Sequence, residues 1–198
     1  REPIHAVFAH YRDRIFTKSA LSETQLIERA EHVRALIAAL NGEYVTELDA
    51  IAEAADLPRW QIYVLNARTE ILNAGVGECT SLCFPQARLL GQTWDWFEEF
   101  EEFAVLVTYE RPDNSRVFAF TEPGMLAKIG FNSAGVGVCL NFLEHKHALD
   151  GVPVHILIRA ILDTDNVAAA RACIQRSGHG KSSHFLIADG EGEAISIE

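Results

Sequence analysis

The chain has 198 residues, 48% of them hydrophobic and 23% charged, with a formal net charge of −11. That length makes one ordinary domain, at most two, with apolar residues enough for a core that needs no disulfide or metal staple. The acidic balance argues against nucleic acid or an anionic membrane as partner, since both recruit clustered Lys and Arg. No apolar run approaches the roughly 20 residues that cross a bilayer, and residues 1–10 lack the apolar centre of a secretory signal. Four cysteines, Cys79, Cys83, Cys139 and Cys173, form no C-x-x-C pair, which speaks against a zinc ribbon or a thioredoxin-like motif. Reduced thiols and a cytoplasmic location are the expectation.

Residues 19–73 read as helical. Ser22 and Gln25 form a capping box ahead of Leu26, Ala30, Val33, Ile37 and Leu40, which follow the helical period. Asn41-Gly42 closes that helix, a second runs from Val45 to Ala55, and Pro58 opens a third. Ala74-Gly75-Val76-Gly77 marks a flexible link, after which strands take over. Cys79–Phe84 with Arg88–Trp94, and Ala104–Glu110 with Arg116–Thr121, read as hairpins. Strands at Met125–Ile129 and Val136–Phe142 continue the series. Helices return at Val152–Leu162 and Asn166–Ser177, the latter with Asp165 as its cap, and strands at Phe185–Ala188 and Ala194–Ile197 follow. This order predicts a layered α+β fold, with helices packed on a largely antiparallel sheet.

Chemistry concentrates around Gly77-Glu78-Cys79-Thr80-Ser81. Taken alone, a cysteine at a strand start is most often a small buried residue. Two further features single it out. Asp95, in Gly91-Gln92-Thr93-Trp94-Asp95-Trp96, falls near the sheet end that holds Cys79 if the two strands pair. Asn141 is an amide in the apolar run Val138–Leu143; it either ties down a neighbouring segment or faces a cavity, and periodicity does not choose. Glu98-Glu99-Phe100-Glu101-Glu102 reads as a solvated loop, with attraction of a cationic substrate as the sharper alternative. His145-Lys146-His147 lacks a third metal ligand nearby. His155 and Arg159, one turn apart, read as structural, and Cys83, Cys139 and Cys173 as small core residues. Gly178-His179-Gly180-Lys181 follows a helix rather than opening one, unlike a phosphate loop.

Read together and in order, Glu78-Cys79-Thr80-Ser81, Gly91-Gln92-Thr93-Trp94-Asp95-Trp96 and Gly130-Phe131-Asn132-Ser133-Ala134-Gly135-Val136 resemble the acyl-coenzyme A:isopenicillin-N (6-aminopenicillanate) acyltransferase family of N-terminal-nucleophile hydrolases. Leu65-Asn66-Ala67-Arg68-Thr69-Glu70, and Gly151-Val152-Pro153-Val154-His155 with Arg159, extend the likeness over nearly the whole chain. The resemblance implies a four-layer αββα fold, with residues 1–78 as a helical pro-segment and 79–198 as the N-terminal part of the catalytic domain. It implies a zymogen that cuts itself between Glu78 and Cys79 and then hydrolyses or transfers an acyl group through a Cys79 thioester. Cys79, Asp95 and Asn141 would be catalytic, as nucleophile, amine holder and oxyanion donor, while Glu78, Cys79 and Ser81 would form the processing site. For Ser81 a hydrogen bond to local backbone is the competing role.

The expected substrate is a small amide or an acyl-coenzyme A thioester, with coenzyme A a candidate donor and no cofactor or metal otherwise. The cleaved subunits would stay associated, and a homo-oligomer stays open. The family chain continues past the position of Glu198 through a His-Thr-Asn-His segment that nothing here matches, so this chain is expected to lack the C-terminal part. Glu78 replaces the usual glycine and would slow self-cleavage. An uncleaved, inactive relative acting as a binding module is the alternative outside catalysis.

Overall fold

The computed structural model describes residues 1–198 except 20, 73–78, 112, 144–149, 179 and 181, and only the backbone of residues 15, 18 and 72. The glycine link at 75–77, Glu78, the pair at His145 and His147, and His179 and Lys181 therefore lie outside the described residues.

Among the described residues five α-helices come first: α1 (Glu2–Tyr11), α2 (Glu23–Leu40), α3 (Gly42–Ala55), α4 (Arg59–Asn66) and α5 (Arg68–Leu72), with a π-helical turn at Arg12–Phe16 and a 3₁₀ turn at Thr17–Ser19 between the first two. The expected capping box opens α2: Ser22 Oγ accepts from the Gln25 N–H, and Gln25 Oε1 from the Ser22 N–H. Asn41 ends α2, and its side chain accepts from the Glu43 N–H at 2.9 Å. It thereby caps α3, which starts three residues before Val45. Helix α1 is absent from the sequence reading. Pro3 is tolerated in its first turn, and Val7, Phe8 and Tyr11 bury along one side.

The hairpin β1 (Ser81–Phe84) and β2 (Leu89–Gln92) pairs Ser81 with Gln92. Six further strands form one antiparallel sheet in chain order: β3 (Val105–Glu110), β4 (Arg116–Thr121), β5 (Ile129–Asn132), β6 (Gly137–Phe142), β7 (Ser183–Ala188) and β8 (Ala194–Ile197). Helices α6 (Val154–Leu162) and α7 (Val167–Arg176) join β6 to β7.

Two expectations need correction. The strand placed at Met125–Ile129 lies at Ile129–Asn132, because the buried Met125, Leu126 and Ala127 form a connection held by a side chain. Asn66 donates to the Gly124 carbonyl at 2.8 Å and accepts from the Leu126 N–H at 3.1 Å, replacing ladder bonds to buried backbone. Asn166 rather than Asp165 caps α7, accepting from the Ala169 N–H.

Helix α6 is buried at all nine positions, packed between the sheet and the N-terminal helices. Glu47 of α3 pairs with Arg159 at 3.0 Å, Tyr44 donates to Asp163 at 2.7 Å, and Glu70 accepts from the Val154 N–H at 2.8 Å. The hairpin lies on the opposite sheet face, and Gly137 lets it approach: a Cβ there would meet Leu90 Cδ2 at 2.9 Å. Beside the hairpin opens an apolar cavity of about 760 Å³ whose lining includes Cys83, Leu90, Leu106, Phe118, Phe131 and Cys139.

His155, fully buried, is clamped in one tautomer. Nδ1–H donates to the Ala127 carbonyl at 3.2 Å, and Nε2 accepts from Arg68 at 2.5 Å. Burial first, then the charges of Arg68 and Lys128, hold its pKa well below the ordinary 6.5. Below pH 6.5 the unfolded chain takes up a proton that the folded chain refuses, so this contribution to stability is present above pH 6.5 and lost as pH falls toward the folded pKa. Urea midpoints measured from pH 7.5 to 5 should therefore fall more steeply in the wild type than in His155→Gln; equal slopes would contradict this.

Candidate functional site

Cys79 precedes β1 by two residues, and the hairpin ladder continues past the strand ends to hold it. The Thr93 N–H donates to the Thr80 carbonyl at 2.9 Å, and the Thr80 N–H donates to Thr93 Oγ1 at 3.1 Å. That hydroxyl donates in turn to Asp95 Oδ2 at 3.1 Å. Asp95 lies three residues beyond β2 rather than at a strand end. Its main-chain carbonyl is 3.9 Å from Cys79 Sγ, a long S–H···O contact. Its carboxylate is thus one hydroxyl away from the chain beside the cysteine.

Asn141 comes from β6 in the sheet below. Its Nδ2 donates to the Cys79 carbonyl at 2.5 Å, and its Oδ1 accepts from Ser81 Oγ at 2.6 Å. Of the two readings left open by the sequence, the amide ties down a neighbouring segment, and that segment carries the cysteine. An amide nitrogen bears two hydrogens, and among the described residues only the Cys79 carbonyl takes one of them. Ser81 bonds a side chain 60 residues away rather than local backbone.

Three residues with no role in the sequence reading complete this geometry. Thr93 links Thr80 to Asp95. Gln92 donates to the Leu140 carbonyl at 2.6 Å and accepts from the Leu140 N–H at 2.7 Å. Strand β5 pairs with β6 only as far as Val138, so this amide stands in for a neighbouring strand and fixes the hairpin to the sheet. His184, opposite Asn141 in the β6–β7 register, places Nδ1 3.3 Å from Asn141 Oδ1. The residue types alone announce none of these contacts; each depends on a register between distant segments.

The tripeptide Trp94-Asp95-Trp96 rests on two buried cations. Lys128 Nζ lies 5.1 Å from the Trp94 ring centre and 5.9 Å from that of Trp96, and the Arg68 guanidinium lies 4.8 Å from Trp96. Trp96 Nε1 donates to Tyr11 OH at 3.2 Å, Tyr11 donates to Glu122 at 2.7 Å, and Glu122 pairs with Lys128. Burial, and then the charge of Arg68, push the Lys128 pKa well below its ordinary value.

Cys139 and Cys173 are buried, and burial raises both thiols, Cys139 to about 12. Cys79 and Cys83 are half-buried. Cys83 is thus not the core residue expected; it lines the apolar cavity. The acidic run is a 3₁₀ helix, Glu98–Phe103, anchored by the buried Phe100 and Phe103 and by an Arg14–Glu99 ion pair at 3.2 Å. His155 and Arg159 are buried within the fold, in keeping with the structural reading. No helix among the described residues is long and apolar enough to cross a membrane.

The profile of the acyl-coenzyme A:6-aminopenicillanic acid acyl-transferase family matches residues 84–198. The chain belongs to that family. A curated acyltransferase-family relative, the acyl-coenzyme A:6-aminopenicillanic-acid-acyltransferase 40 kDa form of Emericella nidulans, is 34% identical over 162 residues. The alignment covers 78% of this chain and 45% of that protein, so the chain spans under half the length of this relative. Asp95, Asn141 and His184 fall inside the profile match, and Cys79 precedes it by five residues.

Proposed function

We propose that this acyltransferase-family chain carries the nucleophile of a self-processing cysteine enzyme of the N-terminal-nucleophile type, with Cys79 as that nucleophile. The observation that carries the reading is the setting of one half-buried cysteine: the Asn141 amide on its carbonyl, the Ser81 hydroxyl on that amide, and the Asp95 carboxylate linked through Thr93 to the neighbouring Thr80 N–H. A hairpin stacked on a six-stranded sheet, with α6 behind it, supports the four-layer αββα arrangement.

In processing, Cys79 Sγ attacks the Glu78 carbonyl carbon. The C–S bond forms, the C–N bond breaks, and the Cys79 nitrogen leaves as an α-amine. Water then hydrolyses the thioester to give a Glu78 carboxylate and a free thiol. The reference pKa of an α-amine, about 7.7–8.0, lets it take the thiol proton near neutral pH. Asp95 holds the amine, and the second N–H of Asn141 meets the oxyanion, a donor contribution of about 2.7–4 kcal/mol in comparable sites. The thiolate then attacks the carbonyl of a linear amide or of a coenzyme A thioester, expelling the amine or the coenzyme A thiol. The acyl group on sulfur passes to water or to an amine.

The printed name of the Emericella relative, which pairs acyl-coenzyme A with 6-aminopenicillanic acid, supports a small acyl donor and an amine acceptor. Residues 1–78 act as the pro-segment and stay bound after cleavage through the Glu47–Arg159, Asn66–Leu126 and Arg68–His155 contacts. A reducing, cytoplasmic setting suits the thiol. Intact-mass analysis of the full-length protein should give two polypeptides meeting between Glu78 and Cys79. One uncut chain that also resists acylation would instead make it a binding module.

A further inference from the structure

We infer that Cys83 and Cys139 form a dithiol modification site, which a low-molecular-weight disulfide closes into a Cys83–Cys139 bridge that clamps the β1–β2 hairpin to the sheet. The inference does not depend on Cys79 being a nucleophile. It rests on how the hairpin lies along β6. Ser81 and Cys83 are alternate residues of β1 and turn to its less exposed face, while Leu82 and Phe84 turn outward, 47% and 57% exposed. Gly137, Cys139 and Asn141 alternate along β6 in the same way. Two contacts fix the register between these faces. At one end Ser81 Oγ donates to Asn141 Oδ1 at 2.6 Å. At the other, Leu90 stands opposite Cys83 in the hairpin, and a Cβ on Gly137 would lie 2.9 Å from its Cδ2. The hairpin therefore runs from Ser81 to Cys83 as β6 runs back from Asn141 toward Gly137, which sets Cys83 over Cys139.

Both thiols line the same apolar cavity, and a charge on Cys83 is felt at Cys139, second to burial in raising that thiol. Strands β1 and β6 bring Cα atoms within 8 Å of each other, nearer than the ~10 Å of ordinary stacked sheets. A disulfide spans Cα separations of about 4.4–6.8 Å, so a small inward shift of the two-stranded hairpin closes the gap. Cys83 is half-buried at the cavity, whereas Cys139 is buried with its thiol pushed up to about 12, so Cys83 reacts first. Its sulfur attacks one sulfur of the reagent, whose S–S bond breaks; a mixed disulfide forms on Cys83 and one thiolate leaves. Cys139 then attacks the Cys83 sulfur, the bridge forms, and the second reagent thiolate leaves. Each departing thiolate takes up the proton of the cysteine that displaced it. Two protein thiols are oxidised, and one reagent disulfide is reduced to two thiols.

The test uses the full-length Cys79→Ala protein, which lacks the other half-buried thiol, treated without denaturant with 2-hydroxyethyl disulfide. Peptide mapping under non-reducing conditions should join the peptide of Cys83 to that of Cys139, with Cys173 still free, and dithiothreitol should part them. The bridge should raise Tm by about 5–10 °C, the scale of a crosslink across a long loop in a chain of this size. Adding Cys139→Ser should leave a lasting mercaptoethanol adduct on Cys83 and no rise in Tm, whereas adding Cys173→Ser should leave bridging unchanged. An adduct that persists on Cys83 with Cys139 present, a bridge to Cys173, no reaction at either thiol, or a bridge without a rise in Tm would overturn the inference.

Discussion

Cys79→Ala is expected to abolish scission at Glu78–Cys79 and to cut acyl transfer by roughly a thousandfold or more, the scale of losing a covalent nucleophile. The substitution removes one sulfur from a half-buried site and leaves the backbone contacts of Thr80 with Thr93, and of the residue 79 carbonyl with Asn141, in place. Folding should therefore survive, and thermal unfolding should stay within about 2 °C of the wild type. Cys79→Ser keeps a nucleophilic atom but a far less acidic one, so it should process slowly or not at all. Alanine cannot process, because it offers no lone pair to the Glu78 carbonyl. Scission and acyl transfer at wild-type rates in Cys79→Ala, read by intact mass and by product formation, would contradict the account.

The largest effect on stability is expected at Glu122. Its carboxylate pairs with Lys128, accepts from Tyr11, and sits in the pocket where Arg68 and Lys128 flank Trp96; Glu122 and Lys128 are 2% and 1% exposed. Glu122→Gln removes the counter-charge and leaves the cations. Breaking a buried pair from one side costs about 3–5 kcal/mol. In a chain of this size that lowers Tm on the order of 10 °C. The double variant Glu122→Gln, Lys128→Met should then melt above the single one, because it removes the buried cation as well. A single variant melting within about 2 °C of the wild type would show that the pair does not hold the fold.

Most of the local structure was legible in the sequence because its causes are local. The Ser22–Gln25 capping box, the helical stripe from Leu26 to Leu40 and the β3–β4 hairpin are written in neighbouring residues. Helix α1 escaped notice because ten residues with a proline in the first turn carry too little periodicity, and Tyr11 finds its partners in Trp96 and in Glu122, 85 and 111 residues on. Met125–Ala127 read as strand because buried apolar runs look alike; the deciding group is Asn66, far upstream. At the site, Cys79, Ser81, Asp95 and Asn141 were visible through motif order. Gln92, Thr93 and His184 act through long-range register, and register has no signature in a single strand. The cation pair beneath Trp94 and Trp96 needs the same long-range pairing, since Arg68 and Lys128 stand 60 residues apart.

Peptide mapping of the full-length protein trapped with an acyl donor reaches the central claim most directly. The account predicts a hydroxylamine-labile acyl group on a peptide whose first residue is Cys79, carried on its sulfur and absent from Cys83. An acyl group on any other side chain, or a Cys79 peptide still joined to Glu78 in protein that turns substrate over, would contradict it.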